Sequence, residues 1–545
     1  MISRAKSLEK RLIKTGMKES YDDQVKDFIA RGAIVEIPDA EMIEYSGPVN
    51  YLDHHGVLSD SATTPYRFVI NSSLANSNSG VSLNDCIPKG PNSIKSLLGC
   101  MITFRSYPHI VVFDLSKCYQ QMFTGEKEKH LRRIVWRFTS SESWRTYGFM
   151  RVTYGDRIAA CALEVAKKLI LEWGMEICPD TAYKMGLADY VDDCNVGADT
   201  IIEEIDAFIG DIVKDGDKFK YTGTVSQILG LVNWSAKVMV RDGELDKVAI
   251  EKIKSQYLGL DWDPMKDKLR YKLKVNLTPK VRGVRPGNPK DITMENIEEL
   301  DNKVLTLRIV TSIVYSWYDP PGLFCPIILK FKLLLSETIA SGVDWKENLP
   351  EKFQVLWKKT LKEVIEMEEV TFNRSVKPEN VKGQPSLVCF HDGSKRGIGC
   401  NIYIRWKFNR PRVDNIVEGQ VEYHVQLVVG KAKIAKSSKV PRNEMDSLVM
   451  LARLITAILP GMVEKPSSIM IIGDSKCTIQ CVEAESKVLK DFFNNRCEEY
   501  DEHVKQWVRD GIDVEPLYYT PSEENASDIA TKGEAVRKHV DESSM

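Results

Sequence analysis

The chain has 545 residues, 43% of them hydrophobic and 28% charged, which suits several packed domains and excludes a disordered or fibrous protein. Its 75 Lys and Arg nearly balance its 77 Asp and Glu, so the formal charge of -2 excludes a generally basic protein, and any surface for polyanions must be local. The 12 cysteines contain no Cys-x-x-Cys pair, which argues against a disulfide framework or a structural zinc site and favours a reducing compartment.

No membrane span or secretory leader is expected. Residues 1–16 are charged throughout, and the most apolar segment, residues 323–335, is interrupted by Lys330 and Lys332. We therefore expect no membrane partner.

In chain order, the first part of the sequence alternates helical and strand-like patterns. Helices are predicted by apolar residues at helical spacing over 5–31, 116–123 and 156–173, and strands by short apolar runs at 33–37, 66–70 and 110–113. Residues 183–197 have the pattern of two short strands around a tight turn at Asp192 and Asp193. This mixture predicts an α+β core.

A basic segment follows between residues 266 and 290, with nine Lys or Arg and one acidic residue. Over residues 269–277, strand alternation places apolar side chains on one face and Arg270, Lys272 and Lys274 on the other. Two interpretations are open. The segment is either a solvated surface strand before a Pro/Gly linker or a surface that follows a phosphate backbone.

The remainder divides into a helical stretch and a second alternating region. Helical patterns run from residue 297 to 367, broken at 319–322, and a polar passage at 375–385 indicates a domain boundary. After it, strands are predicted at 387–392, 401–406, 424–435 and 469–474, and helices at 443–459 and 487–508. This order predicts an α/β domain with a mixed sheet.

Three aspartates end strand-like segments in the first part. Asp114 follows the apolar run Val111-Val112-Phe113, and Tyr190-Val191-Asp192-Asp193 presents Asp192 and Asp193 at the hairpin turn. Neighbouring strands would bring these carboxylates together, and hard oxygen ligands are what a pair of divalent cations about 4 Å apart requires. An Asp-Asp turn considered alone is usually a solvated turn.

Four further carboxylates follow in the last part. Asp392 and Asp474 each end a predicted strand, Glu444 lies near a helix start, and Asp528 lies in a short C-terminal helix. Each has a structural alternative, as a turn former, a helix cap, a charge suited to the helix dipole or a surface residue. Together and in this order they suit a second site for two metal ions.

The first group of motifs resembles the reverse transcriptase palm of BEL/Pao retrotransposons. The matching segments are Tyr51-Leu52-Asp53-His54-His55, Gly80-Val81-Ser82-Leu83-Asn84-Asp85, Phe113-Asp114-Leu115, Val152-Thr153-Tyr154-Gly155 and Tyr190-Val191-Asp192-Asp193. The resemblance implies that Asp114 and Asp192 hold two metal ions, with Asp193 as a further carboxylate of that site.

The same resemblance implies roles for three residues on the substrate side. Arg67 would bind the incoming triphosphate, Tyr119 would lie below the sugar, and Gly155 would lie near the nascent base pair. In that setting Arg270, Lys272 and Lys274 become contacts to template and primer. The structural alternatives are a strand-edge charge for Arg67, a core tyrosine for Tyr119 and an ordinary helix-start glycine for Gly155.

The second group resembles the RNase H domain of the same elements, through Pro441-Arg442-Asn443-Glu444 and Ala526-Ser527-Asp528-Ile529-Ala530. The resemblance implies that Asp392, Glu444, Asp474 and Asp528 hold metal ions that activate a water for cleavage of RNA. Tyr519 departs from the pattern, because many RNase H domains carry a histidine near this place. His391 is expected to be a strand residue rather than a catalytic one.

The resemblance implies an α+β, right-hand polymerase followed by an α/β RNase H-like domain. The predicted boundaries are 1–235 for fingers and palm, 236–295 for a thumb-like region, 296–380 for a connection region and 381–545 for the RNase H-like domain. The activity implied is RNA-directed DNA polymerase with RNase H activity, which copies retrotransposon RNA for DNA integration.

That activity implies two Mg²⁺ or Mn²⁺ ions per active site and, as partners, an RNA template, a DNA or tRNA primer, deoxynucleoside triphosphates and an RNA–DNA hybrid. The expected location is a cytoplasmic virus-like particle, with the nucleus as the alternative. Two rival functions stay open: an element-derived nucleic-acid-binding protein without catalysis, and an unrelated phosphohydrolase that uses the C-terminal site alone.

If the basic segment follows the duplex backbone, replacing Arg270, Lys272 and Lys274 with Gln should weaken template-primer binding for every sequence. The slope of log affinity against log salt should fall by about one for each phosphate that is no longer neutralised, because fewer counterions are released. Filter binding at several salt concentrations measures both quantities. Unchanged affinity and slope would leave the solvated-strand interpretation.

Overall fold

The computed structural model describes residues 1–58, 66–76, 79–199, 208, 210, 212–215, 218–232, 234, 236–239, 256–264, 266–270, 274–280, 290–367, 370–379, 381–408, 422–484 and 490–532. The chain forms two compact units, each discontinuous in sequence. The first comprises Met1–Ile94, Phe113–Cys194 and Phe208–Lys237, and the second comprises Lys95–Val112, Asn195–Ala207 and Val238–Met545. None of the helices in the described residues is long and apolar enough to cross a lipid bilayer.

The helices of the described residues are α1 (Ile2–Lys14), α2 (Lys18–Ala30), α3 (Asp39–Glu44), α4 (Leu83–Cys86), α5 (Leu97–Ser106), α6 (Ala159–Ile177), α7 (Pro179–Leu187), α8 (Thr224–Gly230), α9 (Leu307–Val314), α10 (Cys325–Ala340), α11 (Glu351–Ile365), α12 (Val440–Ile458), α13 (Lys476–Glu483), α14 (Asp491–Arg509) and α15 (Asp528–Lys532). Short 3₁₀ turns lie at Cys118–Gln121, Glu126–Arg132, Met294–Leu300, Leu459–Gly461 and Ser522–Glu524.

The strands are β1 (Ile34–Glu36), β2 (Asp53–Leu58), β3 (Tyr66–Asn71), β4 (His109–Leu115), β5 (Arg133–Trp136), β6 (Arg145–Phe149), β7 (Asp189–Tyr190), β8 (Asp193–Ala198), β9 (Ile212–Asp215), β10 (Lys218–Tyr221), β11 (Ala236–Met239), β12 (Gln256–Tyr257), β13 (Leu260–Asp263), β14 (Lys268–Arg270), β15 (Thr371–Asn373), β16 (Val381–Gly393), β17 (Gly397–Phe408), β18 (Tyr423–Ile434), β19 (Ser468–Gly473), β20 (Asp513–Val514) and β21 (Tyr518–Tyr519). They form sheets of order β1–β6–β5, β2–β3, β11–β4–β8–β7, β10–β9, β12–β13–β14–β15 and β18–β17–β16–β19–β20, with β21 also paired to β19.

The N-terminal core forms where α1 and α2 pack against the β2–β3 hairpin and the β1–β6–β5 sheet. The predicted helix over residues 5–31 is two helices, because the chain turns at Gly16, whose φ of 70° suits glycine. Tyr21, His54 and Trp136 are buried together there, and the Tyr21 hydroxyl lies 2.5 Å from His54 Nδ1. Burial lowers the pKa of His54 to about 4, so this histidine is a neutral core residue.

The C-terminal part is built on the predicted mixed sheet. Strand β16 pairs antiparallel with β17 and parallel with β19, and α12 packs against β16 and β17. The parallel register sets His391 opposite Gly473, so the residues that follow, Asp392 and Asp474, leave the sheet at the same edge. An apolar core beneath this sheet includes Leu387, Ile471 and Trp507.

A buried arginine joins three segments of the second unit. Arg374, which has no exposed surface, donates to the carbonyls of Phe104, Tyr107 and Pro108 at 2.7–2.8 Å and pairs with Asp267 at 2.6 Å. Because each polar group of a buried arginine must be satisfied within the protein, this pairing fixes the β14–β15 edge against the end of α5.

The predicted basic strand lies partly within the described residues. A strand is described only at Lys268–Arg270, and Val275 makes an isolated bridge with Ile292. Arg270 pairs with Asp263, so its charge is partly neutralised, whereas Lys274 is exposed. Lys272 lies outside the described residues, so the predicted strand over 269–277 is described only in part.

Candidate active sites

The first acidic site lies where β4 meets the β7–β8 hairpin. The predicted hairpin is present, but its turn is at Val191 and Asp192 rather than at Asp192 and Asp193, because Asp193 already pairs with Tyr190 as the first residue of β8. The Leu115 amide donates to the Asp192 carbonyl at 2.9 Å, which sets the turn beside Asp114 at the end of β4. Main-chain hydrogen bonding therefore brings the two predicted metal-binding segments together.

The pKa of the Cys118 thiol is shifted by burial and by the acidic side chains of this site. Burial, followed by the neighbouring charges of Asp192 and Asp114, raises the pKa of Cys118 to about 12. Both carboxylates thus lie close to one buried group. Within the described residues, Asp114, Asp192 and Asp193 do not bring three carboxylate oxygens as close together as a shared metal ion would need.

The turn has an unusual backbone and a buried cation beside it. Val191 has a φ of 55°, which is uncommon for a β-branched residue. The Lys167 ammonium donates to the Val191 carbonyl at 2.9 Å and lies 2.8 Å from Glu164 and 3.1 Å from Asp189. Sequence reasoning missed Lys167, although a lysine at a core position of α6, between Leu163 and Ile170, is a signal that could have identified it.

Tyr119, one of the three predicted substrate-side residues, contacts Tyr154, the residue before Gly155. The rings of Tyr119 and Tyr154 make an edge contact with centroids 6.2 Å apart. Burial, and then the neighbouring Cys118 and Asp192, raise the pKa of Tyr119 to about 12, so its hydroxyl stays protonated. A Cβ added to Gly155, the next residue after Tyr154, would lie 2.9 Å from the Ile70 carbonyl, which explains the need for glycine there.

Arg67 lies on the β2–β3 hairpin opposite Val57, and it is exposed. Its exposure fits both a strand-edge charge and a residue that meets an anionic ligand. Gly155 precedes α6 by four residues rather than opening it, so the helix-start alternative is wrong.

The second site brings three predicted residues into a tight group. One carboxylate oxygen from each of Asp392, Glu444 and Asp474 lies within 4.8 Å of the other two. Oδ1 of Asp474 and Oε2 of Glu444 are buried and have no hydrogen-bond partner in the protein. Buried hard oxygens without partners are the donors that Mg²⁺ or Mn²⁺ requires, so these residues fit a divalent cation.

The crowding of these acids changes their titration. Burial, together with repulsion from Asp392 and Asp474, raises the pKa of Glu444 to about 9. Burial is also the main cause that raises the pKa of Asp392 to about 6, with smaller contributions from Asp474 and Asp528. Full ionisation of the group near neutral pH therefore needs a compensating cation.

Two hydroxyl hydrogen bonds and one close backbone approach hold the acids in place. Thr531 donates from its hydroxyl to Oδ2 of Asp392. Ser522 donates to Oδ2 of Asp474 at 2.5 Å. Gly393 allows the start of α12 to approach, because a Cβ there would lie 2.3 Å from the Glu444 nitrogen. Sequence reasoning missed these contacts, and only Thr531, on the same short helix as Asp528, has a spacing that indicates them.

The fourth predicted carboxylate stays outside the tight group. Asp528 opens α15 and pairs with Lys532 at 2.7 Å, although it is near enough to raise the pKa of Asp392. Tyr519 pairs with Gly473 beside the site, and the Lys476 ammonium lies 4.7 Å from its ring centroid. His391 is buried in β16 with its Nδ1 2.9 Å from the Ser447 hydroxyl, consistent with a strand residue.

Comparison with known proteins adds a family and a fold. Residues 306–475 match the family model described as the Pao retrotransposon-like RNaseH-like domain, which confirms the predicted resemblance. The segment includes Asp392, Glu444 and Asp474. No curated protein matches the sequence.

Among solved structures, the foamy viral protease-reverse transcriptase dRH in complex with ds DNA matches with a TM-score of 0.52 and 14% identity, over 92% of this chain and 69% of that chain. The foamy viral protease-reverse transcriptase in complex with RNA/DNA hybrid matches with a TM-score of 0.49 and 15% identity, over 93% of this chain and 54% of that chain. The chain thus spans about half of the second structure's length. The first match confirms the predicted reverse transcriptase fold, and the family-model match confirms the RNase H-like domain.

Metal affinity at the second site should depend on pH. Because the pKa of Glu444 is about 9, binding of a divalent cation at pH 7 must displace its proton, and affinity should rise by up to about tenfold per pH unit towards pH 9. Calorimetric titration of Mn²⁺ in buffers of different ionisation enthalpy measures the proton released. In Glu444→Gln that proton release should disappear, and equal release in both proteins would contradict the assignment.

Without metal, the same raised pKa values should link stability to pH. The folded chain holds protons on Glu444 and Asp392 that the unfolded chain, with ordinary pKa values, has lost. Their contribution to the free energy of unfolding is therefore complete below about pH 4 and is lost as the pH rises through 6 and then 9. Hydrogen exchange in β16 with a chelator present measures this loss, and added Mg²⁺ should reduce it.

Proposed function

We propose that this chain, a reverse transcriptase fold whose residues 306–475 match the Pao retrotransposon-like RNaseH-like domain, is an RNA-directed DNA polymerase with RNase H activity. It would copy retrotransposon RNA into DNA for integration and cleave the RNA strand of the resulting hybrid. The observation that carries the proposal is that this fold holds two separate groups of carboxylates, one at the end of β4 and one at the end of β16.

At the first site, Asp114, Asp192 and Asp193 would hold two Mg²⁺ or Mn²⁺ ions. Such ions supply charge neutralisation for the transferring phosphate. Arg67 would bind the triphosphate, Gly155 would leave room for the nascent base pair, and Tyr119 would limit the space beside the sugar. The protonated Tyr119 hydroxyl adds no charge beside the anionic triphosphate.

At the second site, Asp392, Glu444 and Asp474 would hold the ions, with Asp528 completing the ligand set. The Thr531 hydroxyl donates to one oxygen of Asp392, so the other oxygen would be available to hold a metal ion. The partners would be an RNA template, a DNA or tRNA primer, deoxynucleoside triphosphates and an RNA–DNA hybrid, in a cytoplasmic virus-like particle or in the nucleus. The foamy viral structure that shares this fold contains double-stranded DNA.

The two sites should fail independently, because they are built from different residues. Asp192→Asn with Asp193→Asn should lower primer extension on an RNA template more than about 100-fold, since loss of metal ligands removes several kcal/mol of charge stabilisation. Hybrid cleavage should survive. Asp392→Asn should have the reverse effect.

Primer extension and RNA cleavage are followed in the same tubes with Mg²⁺ or Mn²⁺. Loss of both activities in one variant that remains folded by circular dichroism would contradict separate sites. Wild-type protein that binds the primed template but has neither activity would favour the non-catalytic alternative. Cleavage without any extension would favour the phosphohydrolase.

Tyr119 should select deoxynucleotides over ribonucleotides. A rigid ring beside the sugar would collide with a 2′-hydroxyl, so Tyr119→Val should admit ribonucleotides and lower discrimination about tenfold or more. The measurement is the ratio of incorporation efficiencies for a deoxynucleotide and its ribonucleotide on one RNA template. Tyr154→Val, which removes the ring that contacts Tyr119, is the matched control. An unchanged ratio in Tyr119→Val would show that Tyr119 does not select against the 2′-hydroxyl.

A further inference from the structure

Lys167 occupies a place in α6 where an apolar side chain is expected. Only 4% of its surface is exposed, and it shares the inner face of the helix with Leu163 and Ile170. A lysine is seldom buried unless its ammonium is paired. Its neighbour Lys168 has a side chain that is 78% exposed and lies 3.8 Å from Glu172, as an ordinary surface lysine does.

The Lys167 ammonium makes two ion pairs and one hydrogen bond. Two carboxylates, Glu164 at 2.8 Å and Asp189 at 3.1 Å, compensate the charge, and both are buried. The third partner is the Val191 carbonyl at 2.9 Å. Charge compensation alone does not require this third contact, which reaches the turn that carries Asp192 and Asp193.

The contact falls on the strained residue of the turn. Val191 has a φ of 55°, and a β-branched residue is strained in this region unless its surroundings hold it there. The space beside the ammonium is lined mainly by apolar side chains, including Leu115, Ile170 and Met185. Water is therefore a poor substitute for the lysine as a donor to the Val191 carbonyl.

We propose that Lys167 is a positioning residue for the polymerase site, which holds Val191 in its left-handed conformation and thereby presents Asp192 and Asp193 to the metal ions. The Leu115 amide holds the other side of the same turn through the Asp192 carbonyl. Lys167 acts through the backbone and does not touch substrate. The inference rests on the proposed function of this site.

The first test compares Lys167→Met with Lys168→Met, a matched change one residue away on the exposed side of the helix. In Lys167→Met the half-saturating Mg²⁺ concentration for primer extension should rise about tenfold or more, as is typical when a residue that orients metal ligands is removed. Template-primer affinity and hybrid cleavage by the same molecule should not change. Lys168→Met should behave as wild type.

Removing the ammonium alone leaves two buried carboxylates without a cation, which can unfold the protein. The triple variant Lys167→Met, Glu164→Gln, Asp189→Asn removes the charges together, keeps the side-chain sizes and still lacks the donor to Val191. It should fold and show the same rise in half-saturating Mg²⁺. Wild-type metal dependence in the folded triple variant would overturn the inference.

A second test asks whether Lys167 acts through Val191. Glycine adopts a positive φ without strain, so in the Val191→Gly background the effect of Lys167→Met should shrink several-fold. An equal effect of Lys167→Met in both backgrounds would show that Lys167 does not act through this conformation.

Direct metal binding separates this inference from the proposed function. In a background of Asp392→Asn, Glu444→Gln and Asp474→Asn, Mn²⁺ binding to the first site is followed by electron paramagnetic resonance. If wild-type protein extends no primer, the proposed activity fails, yet weaker Mn²⁺ binding in the Lys167 triple variant would still support the positioning role. Unchanged Mn²⁺ binding in that variant would overturn it.

Discussion

Carboxylates of like charge repel one another, and holding several of them close together is the constraint on which both candidate sites depend. At the second site the cost is visible in the pKa of Glu444, about 9, and in that of Asp392, about 6. Attraction cannot assemble such a group, so the framework must do so. The close approach allowed by Gly393 and the Thr531 hydroxyl are parts of that framework, and a divalent cation would make the fully ionised group favourable.

The two sites meet this constraint in different ways. The second site uses the sheet, because parallel pairing of β16 with β19 delivers Asp392 and Asp474 to one edge, and α12 supplies Glu444. The first site uses a two-residue turn, which offers fewer hydrogen bonds to fix its conformation. There the Leu115 amide and the buried Lys167 ammonium hold the two carbonyls of the turn, and Val191 adopts a positive φ. A turn held by so few hydrogen bonds is more sensitive to the removal of one of them.

The segment that matches the Pao family model begins in α9, well before the sheet that carries the acids. The structure shows why helices and sheet belong together. The Gly430 amide in β18 donates to the Pro321 carbonyl at 2.9 Å, and α10 packs against β18. An added Cβ at Gly322 would lie 1.9 Å from the Gly430 carbonyl oxygen, so the two glycines permit a backbone contact that larger residues would prevent.

The sequence by itself determined most of the element types and the acidic motifs, because periodicity, strand ends and motif order are local properties. The helix predicted at 116–123 was wrong, since the chain forms only a short 3₁₀ turn at Cys118–Gln121. The sequence predicted the hairpin at Asp192, the mixed sheet and the second group of acids. Only the tertiary structure decided which side chains meet. It placed Asp528 with Lys532 outside the tight group, turned Arg270 towards Asp263, and brought Lys167 under the turn. These pairings join residues through packing and charge compensation in three dimensions, and no local pattern encodes which partner a charged side chain will find.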